Sequence, residues 1–297
     1  MSRPQRRPDG ADPAPARPAV PDGLAAPAIS VVPAAAAVPA TAFGPAVPAI
    51  DWQQPWWAPL RAHGAPALAR WTAGATAAGA LDAAGAAPVR FVPQHALPQD
   101  QAYERFVFEQ RAVPTRDNLH DFLNGLIWLR WPRAKRRLNA LQAAEIARDG
   151  VRATRGAVRD AITVFDENGA LLAAPDALWQ ALCARRWAEL FGPLRPLWSQ
   201  ARLWLIGHAA LEKLVTPYKS ITAHVLPAPR ALASVDEADA WLADWLAPER
   251  LAPKPFAPLP LLGVPGWWPA NEQPAFYDDP EVFRPLRPRG LGGAAPA

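Results

Sequence analysis

Cysteine is nearly absent from this chain: Cys183 is the only one among 297 residues. That excludes an internal disulfide framework and any multi-cysteine zinc site. Cys183 falls at helical spacing with Trp179, Trp187 and Leu190, so it is expected to be a small core side chain. A nucleophilic thiol would need a polar, cationic setting that lowers its pKa. Long apolar runs are missing too, and nothing approaches the ~20 residues that a membrane-spanning helix needs. Residues 2–7 are basic, but Asp, Pro and Ala follow where an export signal would carry a compact leucine-rich segment. A cytoplasmic protein without a membrane partner is the expectation. No Gly-x-Gly-x-x-Gly follows a strand pattern and no Gly-Lys-Ser/Thr occurs, which argues against a P-loop hydrolase or a typical dinucleotide enzyme. The hydroxyls of Thr163, Ser199, Ser220 and Thr222 lie outside any Gly-x-Ser-x-Gly context. His-Glu-x-x-His and internal repeats are lacking as well.

What is present is apolar and rich in tryptophan. The chain is 51% hydrophobic, with 14 Trp against 3 Tyr and 10 Phe, enough for one sizeable core with many large anchors. The formal net charge is +4, but residues 129–160 hold nine Lys or Arg against Glu145, Asp149 and Asp160, a local +6 that leaves −2 for the rest. Basicity of this kind suits contact with phosphate, nucleic acid or an acidic partner. A solvated helix face is the plain alternative.

Residues 1–48 are rich in Ala and Pro, with Phe43 as the sole aromatic. Proline removes backbone donors and alanine buries too little to offset chain entropy. A disordered tail is therefore expected, followed by one globular domain over residues 49–288 and a flexible end at 289–297. Helical pieces are expected near 66–73 and 78–86, a short strand near 89–93, and either helix or strand at 103–110. From Asp117 the pattern sharpens. Leu119, Phe122, Leu123, Leu126 and Ile127 recur at i, i+3, i+4, i+7 and i+8 behind the capping candidates Thr115, Asp117 and Asn118. Pro132 should end this helix and open the next, 133–148, which Gly150 closes. Asn168-Gly169 between apolar runs predicts a β-hairpin, with strands at 159–165 and 170–173 about a turn that carries Asp166 and Glu167. Helices at 176–191, 197–215 and 236–246 follow. Between the last two, a strand at 220–226 sets Ile221, Ala223 and Val225 against Thr222, His224 and Leu226. The Pro- and aromatic-rich stretch from Leu259, with Trp267-Trp268, reads as an extended strap pegged by its rings. Stacking on bases is the other use of such a pair. The fold class is α+β, mainly helical: several packed helices with a small sheet that includes one β-hairpin.

Several blocks together resemble a known family. Pro114 to Asn124 with Trp128, Pro132-Arg133-Ala134-Lys135 and Leu138-Asn139 is similar to the hallmark block of an uncharacterised bacterial family, domain of unknown function 3025. Arg159 to Gly169 and Gly207 to Lys213 resemble its other two blocks, and Thr222-Ala223-His224 and Gly263 to Trp268 are similar too. The resemblance runs from about residue 50 to 288. It implies one coherent domain and no established activity.

Three of the five His sit in these blocks with polar company. Asp117, His120, Asp121 and Asn124 share one side of a helix, and His208 and Glu212 lie one turn apart on another. His224 points with Thr222 on the strand, while His63 and His95 lack such company and are expected at the surface. Imidazoles and carboxylates from separate elements can hold zinc, manganese or iron. The expected site is hydrolase-like, with a divalent metal as its cofactor. His120, His208, Glu212 and His224 would be ligands, Asp121 a ligand or general base, and Glu167 a general base. Arg133 and Arg137 would steer, and Asn124 contact, a phosphate-bearing or other anionic substrate. Metal-free acid–base chemistry, with His120 held by Asp117 or Asp121, is a second reading. A third is a purely structural polar network joined by Asn118, Asn124, Asn139 and Gln142. The contrasting class is a non-catalytic binding module that uses residues 130–159 on nucleic acid or an acidic partner.

Overall fold

The amphipathic pattern behind Asn118 does form a helix, and the rest of the architecture is arranged around it. The computed structural model describes residues 49–150 and 156–286; the tail expected at 1–48 and the end expected at 289–297 lie outside the described residues. In chain order come α1 (Arg61–Thr72), α2 (Ala77–Asp82), β1 (Arg90–Pro93), α3 (Tyr103–Gln110) and β2 (Ala112–Thr115). The central helices α4 (Leu119–Arg130), α5 (Pro132–Asp149) and α6 (Ala157–Asn168) lead into β3 (Gly169–Ala173). Then follow α7 (Asp176–Cys183), α8 (Trp187–Phe191), β4 (Arg202–Leu205), α9 (His208–Lys213), β5 (Thr222–Ala228), α10 (Val235–Trp245), α11 (Pro248–Leu251) and β6 (Ala257–Pro260). The protein is thus α+β and mainly helical.

Local chemistry explains the central helices. The Asn118 side chain accepts from the Asp121 N–H at 2.8 Å and caps α4, a contact worth about 1 kcal/mol. Phe122, Leu123, Leu126 and Ile127 then turn inward and are fully buried. Pro132 both stops α4 and occupies the first turn of α5, where its missing N–H goes unmissed. The other donors at that end are taken by Asp239 of α10, which accepts from the Arg133 and Ala134 N–H groups at 3.1 and 2.8 Å. Gly150, at φ 70, closes the helix.

β1 and β2 pair in parallel, Arg90 opposite Ala112, with α3 as the crossover. The larger sheet runs β4-β3-β5-β6. Its inner strand β3 is buried along its whole length, pairing antiparallel with β4 and parallel with β5. The expected alternation holds from Ile221 into β5, with Ile221, Ala223 and Val225 buried and Thr222 and His224 half-buried, but Leu226, expected beside His224, is buried as well.

Four expectations need correction. The hairpin does not form, because residues 159–168 belong to α6 and only 169–173 are strand. Val158, Ala161, Ile162 and Phe165 fall at helical spacing against the core, and that burial outweighs the β-branched run Ile162-Thr163-Val164. Asn168-Gly169 is the exit from the helix, and a Cβ on Gly169 would lie 2.3 Å from the Phe165 carbonyl oxygen. The helix expected at 197–215 is instead a 3-10 turn, β4 and α9; Leu203, Trp204 and Leu205 pair with β3. Third, 176–191 breaks into α7 and α8 at Arg185, which takes φ 50. Finally, that break leaves Cys183 at the end of α7 and exposed, not in the core.

The strap at the C-terminal end is pegged as its composition suggests. Tyr277 stacks on Phe191 at 4.6 Å and donates to the Gly263 carbonyl at 2.9 Å. Buried Asn271 donates to the carbonyls of Leu262 and Val264. Trp267 and Trp268 pack against the core, with Trp267 5.9 Å from Trp56.

Candidate metal centre

Three helices converge on one polar cluster. α9 packs against both α4 and α6, and its position is fixed by a close backbone approach. The N–H groups of Ile206 and Gly207 donate to the Gly169 carbonyl at 3.0 and 2.9 Å, continuing the β3–β4 ladder by one step. Only a glycine allows this, since a Cβ on Gly207 would lie 2.4 Å from Asn168 Cα. The first residue of α9, His208, is thereby set beside Asp166 and Glu167 in the last turn of α6. His120 comes in from the first turn of α4.

The two imidazoles meet edge to face, with Nε2 atoms 3.1 Å apart. Glu167 places Oε2 3.7 Å from His208 Nε2. One ligand atom each from His120, Glu167 and His208 falls within 4.8 Å of the others. Behind them, the Glu212 carboxylate is 2.8 Å from His120 Nδ1. Asp166 lies 3.9 Å from His208 Nδ1 and is held at 2.5 Å by Lys135 Nζ. Lys135 also donates to Asn124 at 2.9 Å and sits over the Trp128 ring. The Asn124 amide in turn donates to the Tyr103 hydroxyl at 3.3 Å.

Burial sets the charge states. His208 is 4% exposed, and that desolvation pulls its pKa down to about 4, against an upward pull from Asp166 and with help from the Lys135 and His120 charges. It is therefore neutral at pH 7, with a lone pair to offer. Desolvation pushes Glu167 up, opposed by His120. Burial also drives Asp166 upward, but the Lys135 ammonium, with His208 and His120, more than reverses this and keeps the carboxylate ionised. By formal charge, the three carboxylates of Asp166, Glu167 and Glu212 outnumber the ammonium groups of Lys135 and Lys213.

The candidate residues are distributed unevenly. His120, His208, Glu212 and Glu167 come together. His224 stays apart: it is on β5 opposite Gly169, its ring 6.1 Å from Phe256, with burial first and then Lys213 and Lys254 lowering its pKa. Asp121 faces the other way, its two oxygens taken by the Arg116 backbone N–H and guanidinium at 2.7 to 2.9 Å. Asp117 accepts from the Ala77 N–H at the start of α2. Arg133 and Arg137 project from the face of α5 roughly 160° around from Lys135, so they do not reach the cluster. Asn124 reaches it only through Lys135.

Lys135 and Asp166 are the residues that motif reasoning passed over as site members. The signal for Lys135 was its position: it falls with Trp131, Leu138 and Gln142 on the buried stripe of α5, where an unpaired ammonium would be untenable.

Fold and cluster together define a mainly helical α+β protein with a histidine–carboxylate centre at the meeting of three helices. The chain belongs to the family described as protein of unknown function, DUF3025, which matches residues 89–287 and so takes in every member of the cluster. No curated protein and no solved structure matches the chain.

Proposed function

We propose a metal-dependent, hydrolase-like protein whose divalent ion is held by His120, His208 and Glu167. The observation that carries this reading is the convergence of three ligand atoms of suitable type within 4.8 Å of one another. In a tetrahedral zinc site with bonds near 2.0–2.1 Å, neighbouring ligand atoms lie about 3.3 Å apart; the two Nε2 atoms here are at 3.1 Å. Glu212 accepts from Nδ1–H of His120, which turns the Nε2 lone pair toward the ion, the arrangement that outer carboxylates commonly provide. The excess negative charge of the cluster is what a dication neutralises. Side-chain exposure of 35% for both His120 and Glu167 leaves the centre open to solvent on one side.

Three protein ligands leave a fourth position, and an ion there supplies Lewis acidity and lowers the pKa of water toward 7. Lys213, which donates to Asn168 and acts on the Glu167 charge, is the cation on this side and suits an anionic substrate. The test is elemental analysis of protein purified without chelator or histidine tag, followed by reconstitution with zinc, manganese and iron. About one equivalent is expected, lost in His208→Ala and in His120→Ala while the circular dichroism spectrum is kept. A protein that takes up none of the three ions refutes the reading and leaves the cluster as a structural polar network.

A further inference from the structure

The far side of α5 carries a second site of different chemistry. A cavity of about 390 Å³ opens there, walled by Arg111, Arg133, Arg136 and Arg137, and no carboxylate lines it. Cations so gathered repel one another, and a bound anion relieves that repulsion. Arg137 is anchored, its Nε donating to the Leu246 carbonyl at 3.0 Å. Among the described residues the side chains of Arg111, Arg133 and Arg136 make no ion pair. Asp239 takes its hydrogen bonds from the backbone of Arg133 and Ala134, and the Arg133 guanidinium acts on it only through its charge.

A further feature speaks for a ligand. The pocket has an apolar part: Trp128 lines it at 3% exposed, and Phe108 lines it at 52% exposed. The volume falls in the range of small-molecule sites. Guanidinium groups pair with phosphate oxygens through forked hydrogen bonds, and an exposed ring offers a face to a flat body.

We infer that this pocket binds a small phosphorylated molecule with a flat apolar body, of about nucleotide size, at a site separate from the histidine–carboxylate cluster. The inference does not rest on the metal reading, and titrations run in chelator keep the two apart. Isothermal titration calorimetry with adenosine monophosphate on the full chain is the test, with adenosine and inorganic phosphate as comparison arms. Adenosine monophosphate is expected to bind more tightly than either part. Arg133→Gln with Arg136→Gln should weaken it by about tenfold for each arginine removed, with an unchanged melting temperature, since the helix cap uses only backbone at Arg133. Should that pair lower the melting temperature, Arg111→Gln supplies the same readout from another element. No heat up to millimolar nucleotide, or equal affinity in wild type and variants, overturns the inference. Salt-dependent binding of a single-stranded RNA oligomer without binding of the mononucleotide overturns it too, in favour of a nucleic-acid surface.

Discussion

Replacing Gly207 by alanine should damage fold and site together, and the size of the effect follows from three distances. The added Cβ would lie 2.4 Å from Asn168 Cα, 2.5 Å from the Gly169 nitrogen and 2.6 Å from the Asn168 carbonyl carbon. All three are backbone atoms that cannot rotate aside, and comfortable carbon contacts begin at about 3.5 Å. The start of α9 must therefore withdraw by roughly 1 Å. Overpacking of this kind costs about 1–3 kcal/mol, and weakening the two bonds to the Gly169 carbonyl adds about 1 kcal/mol. For a domain of this size, each kcal/mol lowers the melting temperature by about 2–4 °C, so a fall of roughly 5–15 °C is expected by circular dichroism. Because His208 is the next residue, the same withdrawal separates its Nε2 from His120 Nε2 and Glu167 Oε2. Metal affinity should drop on the order of 10- to 100-fold, the size of lesions to groups that orient ligands. A Gly207→Ala protein that melts with the wild type and takes up metal equally well would refute the claim that this close approach positions the centre.

Two other predictions concern charges inside the cluster. Lys135→Met leaves Asp166, whose side chain is 20% exposed, without its ammonium and should destabilise by at most about 3–5 kcal/mol in urea unfolding; adding Asp166→Asn should recover most of that loss, and no recovery would mean that Lys135 acts by packing alone. The pH dependence of the metal-free protein follows from His208. Its folded pKa of about 4 lies below the ordinary 6.5, so at pH between these values the unfolded chain binds the proton and the folded one does not. Stability from this group is complete above pH 6.5 and is lost as pH falls toward 4, by up to about 3 kcal/mol. Denaturation in chelator at pH 7 and pH 4.5 should show this loss in the wild type and less of it in His208→Gln; equal slopes in the two would remove His208 as its source.

How far the sequence led depends on whether the deciding interaction was local. The α4–α5 corner was legible because Asn118, Pro132 and Gly150 each act on residues within one turn of themselves. The strand at Thr222 was legible from alternation alone. The α6–β3 junction was misread because a β-branched run and an Asn-Gly pair are local signals, whereas the burial of Ile162 and Phe165 that overrides them comes from elsewhere in the fold. The site shows the same division. His120, His208 and Glu212 stood out by their polar company, but the two His lie 88 residues apart, and His120 and Glu212 lie 92 apart. Their convergence depends on Gly207 lying against Asn168, and no periodicity reports such a contact. Asp121 was credited with chemistry because its helix face is shared with His120, yet Arg116, five residues away, claims both its oxygens.

Net charge alone does not report how the basic segment is arranged. Its +6 is divided in space. Arg130 pairs with Asp236, Arg148 with Glu145 and Asp149, and Lys135 turns inward to Asp166. What remains outward on α5 is a compact group at Arg133, Arg136 and Arg137, completed by Arg111 from beyond the segment. A continuous cationic stripe would track a polyanion and lose affinity steeply with salt. A pocket that gathers a few guanidinium groups over Trp128 selects a small ligand by shape, and its salt dependence should be correspondingly shallow, close to that of one or two phosphate contacts. One helix thus serves two chemistries: Lys135 on its buried face steadies the carboxylate behind His208, and the arginines opposite form a separate anion site.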